Sequence, residues 1–446
     1  MRTRLLLPIV AVLAASALIA SSSRQRAVRL PAPVVTAGPT FNNEIVRIFQ
    51  ERCQTCHRPG DIAPFSLITY RDAAPFADAI KYMTQTRRMP PWKATSGCGE
   101  FVGARTMPQH EIDLIAQWAD NGAPEGRAAD MPAPLQFNSG WTLGTPDMVL
   151  SNAEAFTPPA RGDEYRCFTL PTNTTSTTYV SAIDVHPGDR KSVHHVIAFL
   201  DETGASVALD EKDPGPGYQC FGDPGFTTTG TLGGWAPGYR AVRLPPEVAY
   251  ELPANARVVL QVHYHVAHGN PTPDRTEIGI YFAESQPRQT IRILPIINRD
   301  FTLPPNDANY RVDGTFPLPA FLIPSMRVWF VAPHMHLLGR KMKVEAALES
   351  GETKCLINID DWDFNWQGLY LYKEPIALPA RTRLSFTAYY DNSTANIRNP
   401  NSPPKPVYWG EATTDEMALA FLGVTLDAED LTRNIKADDS WIPPLH

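Results

Sequence analysis

An excess of positive charge is missing from this sequence. Lysine and arginine total 40 against 47 aspartate and glutamate, a formal charge of −7, and no basic run occurs. Nucleic acid and anionic membrane surfaces are thereby excluded as main partners. Beyond the first twenty residues no apolar run reaches spanning length, so a soluble mature protein is expected. Histidine is scarce at 11 and cysteine at 6, so their positions carry information. Glycine, at 28, is ordinary, and no short-period repeat is visible. Proline is abundant instead: 43 of 446 residues, about twice the usual ~5%. Proline breaks helix and central-strand hydrogen bonding, which excludes a long all-helical fold. A hydrophobic content of 43% supports sizeable cores and excludes disorder for most of the chain. At roughly 150 residues per domain, the length suggests about three domains.

Arg2 and Arg4 precede an apolar run from Leu5 to Ala20, then Ser21, Ser22, Ser23 and Arg24. Charged start, apolar stretch and small-residue end read as an export signal over residues 1–24, with Ala20-Ser21-Ser22 a cleavage site. The alternative is an uncleaved anchor, and membrane contact is expected only through that segment. No cysteine follows the run, which argues against a lipid anchor. Export to the periplasm or cell exterior permits disulfides. Two of the six cysteines fall in one short motif. Cys98, Cys167, Cys220 and Cys355 remain, with three possible connectivities, of which Cys167–Cys220 is preferred.

Residues 38–126 read as helical. Asn42 and Asn43 are candidate caps, and Ile45, Ile48, Phe49 and Cys53 recur at helical spacing. A second stripe is Phe76, Ile80 and Met83. A third helix opens at Pro108, carries Ile112, Ile115, Trp118 and Ala119, and stops at Gly122. At the end of the first helix stands Cys53-Gln54-Thr55-Cys56-His57. Two thiols with this spacing can form thioethers to haem vinyl groups, and the adjacent imidazole can reach the iron. The segment resembles class I-type cytochromes c. That resemblance implies one covalent haem c, Phe49 packed near Trp118, and a methionine as sixth ligand. Met89, in Arg88-Met89-Pro90-Pro91-Trp92, matches best, with Met107 and Met83 as rivals. A thioether ligand favours reversible one-electron transfer.

Residues 127–139 read as a polar, Pro/Ala-rich linker. Beyond it, short alternating runs bounded by Pro, Gly, Asn and Asp predict antiparallel strands, among them 178–185, 193–200, 257–266, 326–332 and 383–390. The expected architecture is multidomain: a small all-α domain, then two all-β antiparallel sandwich domains over 140–288 and 289–435.

Seven histidines cluster in three of the strand segments: His194-His195, then His263, His265 and His268, then His334 and His336. Imidazoles gathered in strands suggest metal ligands. Residues i and i+2 share a strand face, so His334 and His336 point together, as do His263 and His265. Adjacent His194 and His195 diverge in a regular strand and can share an ion only at a strand end or twist. Met417, in Thr414-Asp415-Glu416-Met417 on a predicted strand, could complete a site with His334 and His336. Thioether plus imidazole favours copper over zinc.

The order of these segments resembles the copper type II, ascorbate-dependent monooxygenases, which include the peptidylglycine α-hydroxylating and dopamine β-monooxygenases. The matching stretches are Val193-His194-His195-Val196, Leu260-Gln261-Val262-His263-Tyr264, His334-Met335-His336-Leu337-Leu338-Gly339, Tyr390-Asp391-Asn392-Ser393 and Asp415-Glu416-Met417. The resemblance implies two mononuclear coppers, one per β domain, facing a cleft open to solvent. His194, His195 and His263 correspond to the copper that passes electrons. His334, His336 and Met417 correspond to the copper that binds dioxygen and hydroxylates substrate. Cys167 matches a family disulfide position, with Cys220 its partner. His265 and His268 match no family role. In the peptide-amidating member, an arginine two residues before the first histidine of the H-x-H segment anchors the peptide carboxylate. That position is Ala332 here, which argues against peptide amidation.

Hydroxylation of a C–H bond needs two external electrons. The fused haem motif is expected to act as a port that takes them singly from an external donor and feeds the His194, His195, His263 copper. Dioxygen and a small-molecule or peptide-like substrate are the remaining partners. The competing reading is a non-catalytic copper and haem electron carrier.

Overall fold

The computed structural model describes residues 38–443 apart from Ile62, Asn138, Ser139, Gly238 and 267–269. The export signal, His268 and His446 lie outside the described residues.

The chain folds first into short helices and then almost wholly into β structure. The first helix, Val46–Arg52, is entered through a wider turn at Phe41–Ile45. Its cap is Thr40, whose N–H donates to Glu44 Oε2 at 2.9 Å. Asn42 and Asn43 are therefore not the cap. Asn42 is buried within the turn, where side-chain burial outweighs capping propensity. The helices Ala77–Gln85 and Gln109–Asp120 follow, the latter burying Ile112, Ile115, Trp118 and Ala119. Gly122 ends it at φ +79°, a conformation without penalty only for glycine. Phe49 and Trp118 meet edge to face at 6.1 Å inside a common apolar core.

The helical segment is stitched to the sheets rather than tethered to them. Residues 92–102 run as a strap along two later strands, Thr353–Ile359 and Tyr370–Leu378. Thr95 N–H donates to the Asn358 carbonyl and Val102 N–H to that of Leu371, both at 2.8 Å. Lys373 N–H donates to the Glu100 carbonyl at 2.9 Å. Ala94 and Phe101 enter the core beneath those strands. A Cys98–Cys355 disulfide locks the strap, and the second disulfide is Cys167–Cys220. The stretch expected as a linker is also held down: Arg47 and Gln50 donate to the carbonyls of Asp130 and Ala133. Helical segment and sheets form one compact unit.

The first β half has two five-stranded sheets burying a shared core. One contains Met148–Ser151, Glu277–Phe282, Thr178–His186, Val248–Leu252 and Gln289–Thr290. The other runs Tyr218–Gln219, Gly162–Pro171, Arg257–Val266, Val193–Asp201 and Gly230–Trp235. Pairing is antiparallel except at Gln289–Thr290, which lies parallel to Val248 and Ala249. The second half has two four-stranded sheets about another core. Arg292–Ile297, Leu419–Leu426, Met326–His334 and Tyr370–Leu378 form one of them. Tyr310–Thr315, Arg383–Tyr390, Gly339–Ala347 and Thr353–Ile359 form its mate. The chain changes halves between Thr290 and Arg292. There the buried Glu429 carboxylate takes hydrogen bonds from both. Central strands such as Arg257–Val266 are buried on both faces, which explains their nearly continuous apolar sequence.

Candidate metal centres

The strand Val193–Asp201 pairs with Arg257–Val266, and the register slips between Val193 and His195. That irregularity supplies the twist two adjacent histidines need to face the same way. His195 stands directly opposite His263. The Nδ1 atoms of His194 and His195 are 3.3 Å apart, and those of His263 and His195 are 3.4 Å apart. Two ligands bound at ~2.0–2.1 Å in tetrahedral geometry stand roughly 3.3 Å from each other, so this spacing suits one metal ion. All three residues offer a ring nitrogen within 4.8 Å of the others. His194 Nε2 is buried without a hydrogen-bond partner.

One carboxylate orients this cluster. Asp163 Oδ1 accepts from His263 Nε2 at 3.0 Å, from His265 Nδ1 at 2.7 Å and from Thr413 Oγ1 at 2.9 Å. His263 therefore carries its proton on Nε2 and presents the Nδ1 lone pair to His195. Tyr165 stacks on the same ring at 4.1 Å. Burial raises the Asp163 carboxyl, but the hydrogen bonds from His263 and His265 outweigh it and hold the group below the usual carboxylate range. Burial, reinforced by neighbouring imidazoles, keeps His194 and His195 well below the ordinary histidine value. Burial also lowers His263, partly offset by Asp163. The three rings are thus neutral near pH 7, the form that binds metal. His265, without a role from sequence, is tied to Asp163.

The second histidine pair lies at the end of Met326–His334. His334 Nδ1 faces Gln367 Oε1, and His336 Nδ1 faces the Asp415 carbonyl at 3.2 Å. Both rings spend Nδ1 on oxygen acceptors, which leaves Nε2 of each as the nitrogen available to a metal. The rings stand perpendicular with centroids 5.1 Å apart. Burial lowers them to about 4 for His334 and about 3 for His336. Met417 falls just before the strand Leu419–Leu426, not on it, and lines the same cavity as both histidines. Glu416 organises the group: its carboxylate accepts from the N–H of His336 at 2.8 Å, Leu338 at 2.6 Å and Met417 at 3.2 Å. Burial pushes Glu416 up to about 8, against backbone N–H groups that favour its ionised form. Tyr390 donates its hydroxyl to the Met417 carbonyl at 2.7 Å.

Phe364 joins the two centres. Its ring stacks on His194 at 4.4 Å and meets His336 edge-on at 5.8 Å. The space between these two rings is filled by an aromatic side chain, while a cavity beside it is lined by His195 together with His334, His336 and Met417. Asp163, Gln367, Glu416 and Phe364 were not singled out from sequence. Only Glu416, beside Met417, carried a local signal there.

The thiol-histidine motif faces a cavity of ≈ 960 Å³. Cys53, Cys56, His57, Met83 and Met89 line it from the helical side, and His194, Arg240 and Gln367 from the sheets. Cys53 and Cys56 are both free thiols. Burial pushes the Cys53 thiol up to about 12. His57 Nδ1 donates to the Phe65 carbonyl at 3.1 Å, which leaves Nε2 as the coordinating nitrogen. Met83 and Met89 both line the cavity, while Met107 packs in the helical core.

No family model matches the chain. It is similar to DBH-like monooxygenase protein 1 of Homo sapiens, 24% identical over 261 residues, covering 53% of this chain and 40% of that protein. The Mus musculus protein of the same name is 24% identical over 287 residues, covering 59% and 44%. The chain spans about two fifths of the length of these curated relatives. Among solved structures, the major capsid protein P2 from Bacteriophage PM2 aligns at TM-score 0.25 with 10% identity, over 65% of this chain and 100% of that one. PNGF-II aligns at 0.27 with 9% identity, over 62% and 65%. Scores of this size carry no argument about fold or function.

Proposed function

We propose that this chain is an exported copper- and haem-containing monooxygenase. It hydroxylates a C–H bond with dioxygen, with electrons entering at a c-type haem and passing by way of the three-histidine copper. The observation that carries this reading is the pair of neutral imidazole clusters, one of three nitrogens at metal-ligand spacing, one of two histidines with a thioether. Both sets fit copper: imidazole suits it, and the Met417 sulfur selects its reduced state over zinc. The similarity to DBH-like monooxygenases supports the same metal and reaction.

The haem fits as well. Two free thiols, an imidazole with its Nδ1 proton already committed and a methionine line one cavity, and Arg240 faces that cavity while donating to the Thr55 carbonyl inside the motif at 2.6 Å. A guanidinium there suits a group that carries carboxylates. When bound, copper would supply dioxygen activation and one-electron redox, and haem a one-electron entry. The protein's own part is positional. Asp163 and Glu416 fix the rings and the sulfur, Tyr390 holds the Met417 backbone, and Phe364 packs between His194 and His336. His194 touches both the three-histidine cluster and the cavity of the thiol motif, so the port and the first copper are adjacent by construction. This strengthens the relay beyond what a flexible tether would give.

The test begins with metal and haem content: two coppers and one covalent haem per chain are expected. Stopped-flow then follows the haem band after oxygen and substrate are added to reduced protein. Product at full rate while the haem stays reduced would sink the relay. Met417→Ile should abolish hydroxylation and spare haem reduction. Copper binding without oxygen consumption would instead favour the carrier reading.

A further inference from the structure

The charges around the thiol-motif cavity are one-sided. Its formally charged lining residues are Glu51, Arg52, Arg105, Arg190, Lys191 and Arg240. Glu51 is paired with Arg52 at 3.0 Å, and Arg52 also holds Glu111 at 3.0 Å. The other four are cations, and no second carboxylate lines the cavity among the described residues. They stand in a chain of net charge −7, so the positive excess is local. Much of the remaining lining is hydrocarbon, with Leu67 and Ile80 from the helical segment and Leu232 and Leu244 from the first β half. Such a lining suits a ligand with an apolar body and an anionic edge.

Two of the four cations stand at the motif itself. Arg240, from the first β half, donates to the Thr55 carbonyl at 2.6 Å, between Cys53 and Cys56 in the chain. Arg105 follows the strap. Burial lowers its guanidinium below the ordinary value, Cys56 acts in the opposite direction, and the charge of Arg240 adds to the lowering. The two guanidiniums are therefore within electrostatic reach of each other and of one thiol, although one comes from the helical side and one from the sheets. Like charges held together beside an apolar cavity repel. Carboxylates placed against them replace that repulsion by charge-assisted hydrogen bonds.

Resting on the haem reading above, we infer that Arg105 and Arg240 hold the carboxylate side chains of the haem, with Arg190 and Lys191 adding to the positive field. They are positioning residues. The helical segment supplies the thiols and the imidazole, and the first β half supplies part of the carboxylate grip, so two parts of the molecule hold one group. The same cations oppose the extra positive charge of the ferric state, which favours reduction and suits a point of electron entry.

The test uses full-length protein matured with covalent haem and reads the haem reduction midpoint by spectroelectrochemistry. Arg105→Gln and Arg240→Gln should each lower the midpoint. Together they should shift the one-electron equilibrium about tenfold toward the oxidised form, equal to about 59 mV. Arg240→Lys keeps the charge and should stay within about twofold of the native equilibrium. Arg240 and Lys191 are exposed, so Arg240→Gln with Lys191→Gln provides a second pair that does not disturb packing. Its expected shift is about threefold, smaller because solvent and salt screen both charges. Covalent haem whose midpoint neither pair moves overturns the clamp and leaves the haem reading standing. So does an equal fall in Arg240→Lys and Arg240→Gln, because charge would then not be what acts. A pyridine haemochrome assay that finds no haem on the native protein overturns the haem reading, and the clamp with it.

Discussion

Asp163 offers the sharpest test of how the three-histidine cluster is held, because one carboxylate serves four donors and a change of a single atom separates its roles. Asp163→Ala removes the acceptor for His263 Nε2, His265 Nδ1 and Thr413 Oγ1. His265 is partly exposed and recovers water. His263 is 2% exposed and does not. Thr413, also buried, loses its side-chain acceptor and the backbone contact from its N–H to Asp163 Oδ2 at 3.2 Å. A buried donor left unsatisfied costs about 1–3 kcal/mol, so the three of them (His263 Nε2, Thr413 Oγ1 and Thr413 N–H) cost about 3–9 kcal/mol, toward the lower end once water enters the space left behind.

Asp163→Asn is the more informative change. The amide oxygen still serves Thr413, so stability should fall by only about 1 kcal/mol. The amide, however, does not hold a proton on His263 Nε2 as a carboxylate does. The ring gains freedom to place its proton on Nδ1, the atom facing His195. Loss of such an orienting partner lowers metal affinity by about 10- to 100-fold. The expected signature is therefore a split: a large loss of copper affinity in a chelator competition, with a small shift in the urea midpoint. If Asp163→Asn binds copper within threefold of the native protein at pH 7, the carboxylate does not set the tautomer, and the assignment of Nδ1 as the ligand atom falls with it.

Other consequences follow from the same geometry. Glu416→Gln replaces an acceptor of backbone N–H groups by an amide whose NH2 opposes one of them. Copper at the His334, His336, Met417 set should be lost preferentially while the three-histidine set stays loaded, which paramagnetic resonance of stepwise-loaded protein resolves. Removing the Cys98–Cys355 disulfide by a double change to serine frees a loop of sequence separation 257. The loss should be about 4 kcal/mol, toward the upper part of the range for disulfides, and visible as a lower unfolding midpoint. The pH dependence of the metal-free protein is set by histidines that burial pulls down, to about 4 for His334. The unfolded chain takes up protons near its ordinary ~6.5 while the folded chain does not, so stability falls as pH drops from about 6.5 toward about 4. His334 alone contributes about 3 kcal/mol to this loss at 1.36 kcal/mol per pH unit. Melts that stay flat between pH 7 and 5 would contradict it.

The strands and the clustered histidines could be read from the chain because each leaves a local signature. Alternation marks Arg383–Tyr390 and Gly339–Ala347, and histidines spaced by two residues mark one face whatever surrounds them. The doubt over His194 and His195 was also legible: adjacent residues diverge, so a fault in the strand was required, and the slipped register at Val193 is that fault. What had no local signature was the packing that positions these residues. Asp163 reads as one acid on a half-exposed strand, and becomes an orienter only because its neighbour in register, His265, and the ring of His263 come from a strand a hundred residues away. Phe364 belongs to a bend-rich loop, Trp362-Asp363-Phe364-Asn365, with no period to read.

The strap at 92–102 escaped for a related reason. Its Gly, Thr and Ser content is that of a loop, and pairing with strands far along the chain is a property of its partners' edges. For the relay proposed above, this is the element with the greatest consequence. It is anchored by Cys98 and by backbone bonds to both Asn358 and Leu371, and its first residue, Trp92, lines the cavity of the thiol motif together with Met89. The same cavity is lined by His194. A tether alone would have left the separation between motif and cluster to the conformational freedom of the linker. The strap makes it a property of the folded core, so the proposed one-electron traffic would depend on geometry rather than on encounter.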